Sequence, residues 1–139
     1  MTMQYVFPTY ARFPFAIEDG QGVYLTDNHG KQYLDFTAGI GVCNFGYHQP
    51  QIQQAVTQQL TNIWHTSNLY ESELQDSVAQ LLTNGDDRLV YFANLGTEAN
   101  EAALKLARKY TGKTAIRAFN HSFHGRTYGS MSMTGNAHI

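Results

Sequence analysis

The spacing of apolar positions changes along the chain, and each change predicts a different element. Residues 23–26 and 32–36 are short apolar and aromatic runs separated by Asp27-Asn28-His29-Gly30, whose Asn and Gly accept positive φ. The pair predicts a β-hairpin. After the glycine-rich loop from Gly39 to Gly46 the period lengthens, and Ile52, Val56, Leu60, Ile63 and Trp64 recur at helical spacing behind Pro50. Proline suits a first helical turn because its missing N–H would have no partner there. Leu74, Val78, Leu81 and Leu82 repeat the pattern, and Asn84-Gly85 offers a left-handed residue to close the helix. Both segments read as helices packed through their apolar faces.

The run Leu89 to Ala93 is too continuously apolar for a half-exposed strand, so it predicts a buried one. Ala99, Ala102, Ala103, Leu106, Ala107 and Tyr110 then line one helix face, its alanines allowing close approach to a sheet. Thr111-Gly112-Lys113 ends that helix, and Thr114 to Phe119 predicts a second buried strand. Strand, helix and strand in that order form a parallel unit with a right-handed crossover, so the fold class is α/β. No repeat or low-complexity tract interrupts the chain, and the Gln-rich stretch 49–59 is one polar helix face.

Composition narrows the partners. The 139 residues are enough for one domain with a core, although the final Met-Thr-Gly-Asn-Ala-His-Ile has no mark of a natural end and suggests a piece of something longer. Nine basic and eleven acidic side chains nearly cancel, which argues against a nucleic-acid or membrane-surface partner and leaves small molecules. Cys43 is the only cysteine and has no internal partner, and the start Met-Thr-Met-Gln-Tyr lacks a secretory pattern; a reducing cytoplasm is expected. The longest apolar run falls far short of the roughly 18 residues a membrane helix needs, so a soluble protein is expected.

Candidate chemistry gathers at two junctions. In open α/β sheets ligands collect beyond the carboxyl ends of strands, where helix N-termini present unpaired N–H groups and a positive dipole end. Gly96 and Thr97 occupy that position after the first predicted strand; glycine lets the backbone approach an anion, and Thr97 carries a hydroxyl donor. A phosphate fits such a turn. So does a plain helix start in which Asn94 is the N-cap and Glu98 a first-turn acid. Two other phosphate patterns fail: Gly112-Lys113-Thr114 has Ala107 where a P-loop needs its first glycine, and Gly39-x-Gly41 has Asn44 where a dinucleotide fingerprint needs its third.

The second cluster, Asn120 to Thr127, follows the second predicted strand and should lie on the same rim. Arg126 offers either a fork for a carboxylate or a solvated charge, and Phe123 either a cover for a planar ligand or a core ring. His121-x-x-His124 lacks the further ligands a zinc site needs, so no metal is expected. His29, His48, His65 and His138 read as structural or solvent-facing, and Cys43 as a small buried hydrophobe.

The strings YLDFTAGIGVCNFG, WHTSNLY, NLGTEANEAALKLARKYTGKT and SFHGRTYGSMSMTG, in that order, resemble the N-terminal third of class III pyridoxal-phosphate-dependent aminotransferases, from about Tyr10 to Gly135. The resemblance implies a fold-type I architecture: residues 1–66 contribute the hairpin and helix of a small domain, and residues 67–139 begin the parallel sheet of the large cofactor-binding domain. It implies that Gly96 and Thr97 bind the phosphate of pyridoxal 5'-phosphate, that Phe123 stacks on its pyridine ring, and that Arg126 grips the substrate α-carboxylate. The Gly39 to Asn44 loop and Tyr10 resemble segments that border the substrate. Within the family the strings lie nearest to members that move the amino group of N-acetylornithine to 2-oxoglutarate in arginine biosynthesis, with ornithine and 4-aminobutyrate as alternative donors. A cytoplasmic homodimer is implied for the full-length protein.

Two departures qualify the resemblance. The family usually has Ser where this chain has Leu95, which removes one hydroxyl donor, an effect on the order of 1 kcal/mol, and predicts weakened rather than abolished phosphate binding. The family's reacting lysine and the aspartate that holds the pyridine nitrogen protonated lie further downstream, and none of Lys31, Lys105, Lys109 and Lys113 matches that lysine. No catalytic residue is therefore assigned within this chain, and alone it is expected to be inactive. The competing readings are a non-catalytic phosphate or pyridoxal-phosphate binding module, and a folding fragment whose open sheet edges await missing strands.

Overall fold

The computed structural model describes residues 5–136; the opening Met-Thr-Met-Gln and His138 lie outside them. The chain divides into two compact units, Met1–Tyr70 and Glu71–Ile139.

The first unit is built on an antiparallel three-stranded sheet, β1 (Ile17–Gln21), β2 (Tyr24–Asp27) and β3 (Gln32–Leu34), in the order β1-β2-β3. The predicted hairpin is its β2–β3 half, with Gly30 at φ +80° in the turn. Asp27 fixes that turn: one carboxylate oxygen accepts the N–H groups of His29 and Lys31, each at 2.9 Å, and the other accepts the Tyr33 hydroxyl at 2.8 Å. Burial pushes the Asp27 carboxyl up, but these donors outweigh it and the net shift is downward. Strand β1, absent from the sequence reading, is polar in most of its length, so only its pairing with β2 reveals it.

Beyond β3, α1 (Ala38–Gly41) is a single turn wound left-handed, with φ of 47°, 62°, 62° and 78° at Ala38, Gly39, Ile40 and Gly41. A β-branched residue in that region costs on the order of 1–3 kcal/mol, so neighbours must hold it. Asp35 does so from one side, accepting the Thr37 hydroxyl at 2.6 Å and its N–H at 2.8 Å, and it accepts the Tyr47 hydroxyl at 2.6 Å on its other oxygen. Tyr47 and Gly22 exchange backbone hydrogen bonds, which docks the loop on the β1–β2 turn.

The Thr37 and Tyr47 hydroxyls hold the Asp35 carboxyl down at about 2, and Asp35 in turn pushes the Tyr47 phenol up to about 12. The signs give two limbs. The Asp35 contribution is complete above its ordinary value of 3.8 and is lost as pH falls through about 2. The Tyr47 contribution is complete below 10.0 and is lost as pH rises through about 12. Asp35→Asn should remove the acid limb and return the Tyr47 titration, followed by tyrosine-ring NMR, toward 10.0. An unmoved Tyr47 titration would contradict the pairing.

Helix α2 (Pro50–Asn62) starts at Pro50 as predicted. In the second unit α3 (Glu73–Thr83) is capped by Ser72, whose hydroxyl accepts the Gln75 N–H, and it closes at Asn84 with φ 53°. Helix α4 (Gly96–Thr111) closes at Gly112 with φ 70°, and a short α5 (Tyr128–Met133) follows, which the sequence reading did not foresee.

Three expectations are corrected. Residues 89–93 and 114–119 form no strand and pair with no other strand among the described residues, so the parallel sheet is not assembled here; a two-sided buried strand forms only between neighbours that supply its hydrogen bonds and cover its faces. The apolar faces of α2 and α3 form but stay uncovered, with Trp64 81% exposed. On α4, Leu106 and Tyr110 are exposed, and the one buried hydrophobic residue among those described is Leu104, at 9%.

Candidate functional site

The start of α4 departs from the expected cap. Its N-cap is Leu95, in extended backbone, and not Asn94. A leucine side chain accepts no hydrogen bond, so only half of a capping box forms: one Glu98 carboxylate oxygen accepts the N–H groups of Asn94 at 2.9 Å and Leu95 at 3.1 Å. Ala99 N–H reaches the Leu95 carbonyl and begins the helical ladder. Among the described residues the N–H groups of Gly96, Thr97 and Glu98 therefore receive no partner, which leaves them for an anion. A methyl group built on Gly96 would meet nothing within 4 Å apart from its chain neighbours and its own helix backbone, so the side of Gly96 that a Cβ would occupy is open.

The second cluster is brought onto that turn. The Thr97 and Thr127 hydroxyl oxygens lie 2.7 Å apart, the Asn100 amide donates to the His124 carbonyl at 2.7 Å, and the Ser130 hydroxyl donates to the Thr97 carbonyl at 3.0 Å. Ser130 is fully buried. Gly125, also buried, has φ +126°, and a Cβ there would sit 2.6 Å from the Thr97 Cβ. The loop thus passes within van der Waals contact of the first turn of α4 because residue 125 has no side chain.

Glu101 supplies a further tie. Its Oε1 accepts the Thr127 hydroxyl at 2.6 Å, the Gly129 N–H at 2.8 Å and the Ser130 N–H at 3.1 Å, satisfying the free N–H groups at the start of α5. The Thr127 hydroxyl and the Ser130 N–H hold its carboxyl below the usual carboxylate range. The sequence reading missed Glu101, which sits on a polar helix face. The signal available was its position four residues after Thr97, hence one turn along the same face.

Of the residues singled out in the sequence, Gly96 and Thr97 therefore lie in one neighbourhood with the loop that carries Arg126. Arg126 is exposed, and the Phe123 ring is 62% exposed. A groove of about 450 Å³ in this unit, lined by Leu104, Ile116, Phe119 and Met133, lies between α4 and residues 114–119, away from these groups. It is the gap left by the unassembled sheet. No helix among the described residues is long and apolar enough to cross a membrane.

The family description Aminotransferase class-III matches residues 5–139. Acetylornithine aminotransferase of Lactiplantibacillus plantarum is 86% identical over 139 residues, covering all of this chain and 36% of that protein. The enzyme of the same name from Listeria monocytogenes serotype 4b is 65% identical over 137 residues, again 36% of its length. Among solved structures, taurine:2-oxoglutarate aminotransferase from Bifidobacterium kashiwanohense, in complex with PLP and glutamate, superposes with a TM-score of 0.88 at 30% identity, over 96% of this chain and 31% of that one. An S-selective transaminase from Arthrobacter sp. gives 0.86 at 27% identity, over 94% and 31%. The chain thus spans about a third of the length of the proteins it matches.

Proposed function

Because the chain belongs to the class-III aminotransferase family, we propose that it is the N-terminal part of a pyridoxal-phosphate-dependent enzyme that moves the amino group of N-acetylornithine to 2-oxoglutarate, in arginine biosynthesis. The observation that carries the reading is the row of N–H groups at Gly96 and Thr97 that have no partner among the described residues, with open space on the Cβ side of Gly96 and a tie to the Arg126 loop. These groups fit the phosphate of the cofactor, an anion that needs several donors and a bare approach. Phe123 would cover the pyridine ring and Arg126 would pair with the donor's α-carboxylate through its planar fork. When bound, the cofactor supplies the electron sink into which charge passes as the donor's α-proton leaves.

The residues of this chain anchor and orient; they move no proton. The lysine and aspartate the reaction requires match none of Lys31, Lys105, Lys109 and Lys113 or their surroundings, so the chain alone turns over no substrate. The complete enzyme is a cytoplasmic homodimer in which residues 1–66 serve the small domain and residues 67–139 open the large one.

Gly96→Ala tests the reading through two effects of opposite sign. Alanine meets no steric obstacle in the free protein and favours the helix by up to about 1 kcal/mol, so stability should hold or rise. The added methyl occupies the space the phosphate needs, so the dissociation constant for pyridoxal phosphate, read by fluorescence in the complete enzyme, should rise at least about tenfold, or 1.4 kcal/mol. Unchanged affinity would contradict the assignment.

A further inference from the structure

Thr97 has a hydroxyl at the anion turn, and counting protons shows where that hydroxyl points. Glu101 Oε1 collects three donors, two of them backbone N–H groups and the third the Thr127 hydroxyl at 2.6 Å. An ionised carboxylate only accepts, so the single Thr127 proton lies on the bond to Glu101. The Thr127 oxygen is then left as an acceptor toward Thr97, 2.7 Å away, and the proton on that bond must come from Thr97. The Ser130 hydroxyl cannot reverse this, since its own proton is given to the Thr97 carbonyl.

We infer that Glu101 is a positioning residue that draws the Thr97 hydroxyl inward through Thr127, so that Thr97 meets an anion with its backbone N–H while its side chain fastens the Arg126 loop to α4. The inference rests on the proposed role of the Gly96–Thr97 turn and refines it. It assigns the hydroxyl of Thr97 to holding the loop and the N–H of Thr97 to holding the phosphate. The relay runs one way as long as Glu101 is ionised: Thr97 O–H to Thr127, Thr127 O–H to Glu101.

A double-mutant cycle in the complete enzyme separates this from direct phosphate donation, with pyridoxal phosphate and inorganic phosphate as the probes and equilibrium binding as the readout. Thr97→Val alone should change the affinity for inorganic phosphate, which needs only the turn, by less than about twofold, because the lost hydroxyl never faced the anion, while the lost tie to Thr127 should loosen the loop and lower the denaturation midpoint. Thr127→Val removes the inward acceptor while Glu101 keeps its two backbone donors, so the freed Thr97 hydroxyl turns outward and the affinity for inorganic phosphate should hold or tighten. In that background Thr97→Val should now cost about tenfold, the usual size of a hydrogen bond to a charged group. Glu101→Gln retains an acceptor oxygen and should preserve the pattern, whereas Glu101→Leu should abolish it. A tenfold loss from Thr97→Val alone, with Gly96→Ala still weakening binding, would overturn the relay and leave the turn in place. Binding indifferent to Gly96→Ala would instead overturn the turn itself.

Discussion

Joined to the part of the Lactiplantibacillus plantarum enzyme that lies beyond its match, the chain should change from a self-associating species without a sharp melt to a protein that unfolds in one cooperative transition. The reason is area. Each unit leaves large apolar side chains exposed that a folded domain would bury. In the first unit these include Trp64 and Leu69 and in the second Leu81, Leu89, Tyr110 and Phe119, all strongly exposed, and the apolar runs 89–93 and 114–119 belong to no strand. Extended apolar segments with free backbone groups pair with whatever strand they meet, including another copy. Sedimentation velocity and calorimetry on the isolated and the joined chain measure the difference. A monodisperse isolated chain with a sharp heat-capacity peak would show that the first and second units are self-sufficient.

The second large effect is expected at Gly125. Alanine there would place its Cβ 2.6 Å from the Thr97 Cβ and 3.1 Å from the Ser130 Cβ, on a backbone at φ +126°. Overpacking of this kind costs about 1–3 kcal/mol and the disfavoured backbone about as much again, so Gly125→Ala should destabilise by roughly 2–5 kcal/mol. The loop has to lift off α4, which carries Phe123 away from the phosphate turn, so pyridoxal-phosphate affinity should fall with it. Gly85→Ala is the control: it has φ +74° but nothing within 4 Å, and it should cost only the backbone part, about 1 kcal/mol. Denaturant melts of the complete enzyme carrying each change decide the matter. Equal losses at 125 and 85 would mean that the close approach of loop and helix is not what Gly125 provides.

What could be read from the sequence was local. The Asn28-His29-Gly30 turn, the start at Pro50 and the left-handed closures at Asn84 and Gly112 each depend on a residue whose backbone preference is intrinsic, and each appears where the pattern placed it. The left-handed turn at Ala38–Gly41 was not readable in full, because Ala38 and Ile40 take an unfavourable conformation that only Asp35 and its neighbours sustain. Helix α5 was missed for a related reason: Tyr-Gly-Ser-Met-Ser-Met has little helical preference, and its start is held by Glu101, 28 residues away at Gly129. The apolar runs at 89–93 and 114–119 were read correctly as apolar and wrongly as formed strands, since a strand is a property of a pair. At the site, Gly96, Thr97, Phe123 and Arg126 stood out through residue type and place. Their supports Asn100, Glu101 and Ser130 did not, because what they hold is distant in sequence.

A crystal structure of the complete enzyme with pyridoxal phosphate bound tests the anion-binding role of the Gly96–Thr97 turn. Phosphate oxygens are expected within hydrogen-bond distance of the Gly96 and Thr97 N–H groups, with Arg126 on the adjoining loop facing the substrate side. A phosphate seated elsewhere, with the first turn of α4 facing only solvent or protein, would contradict it.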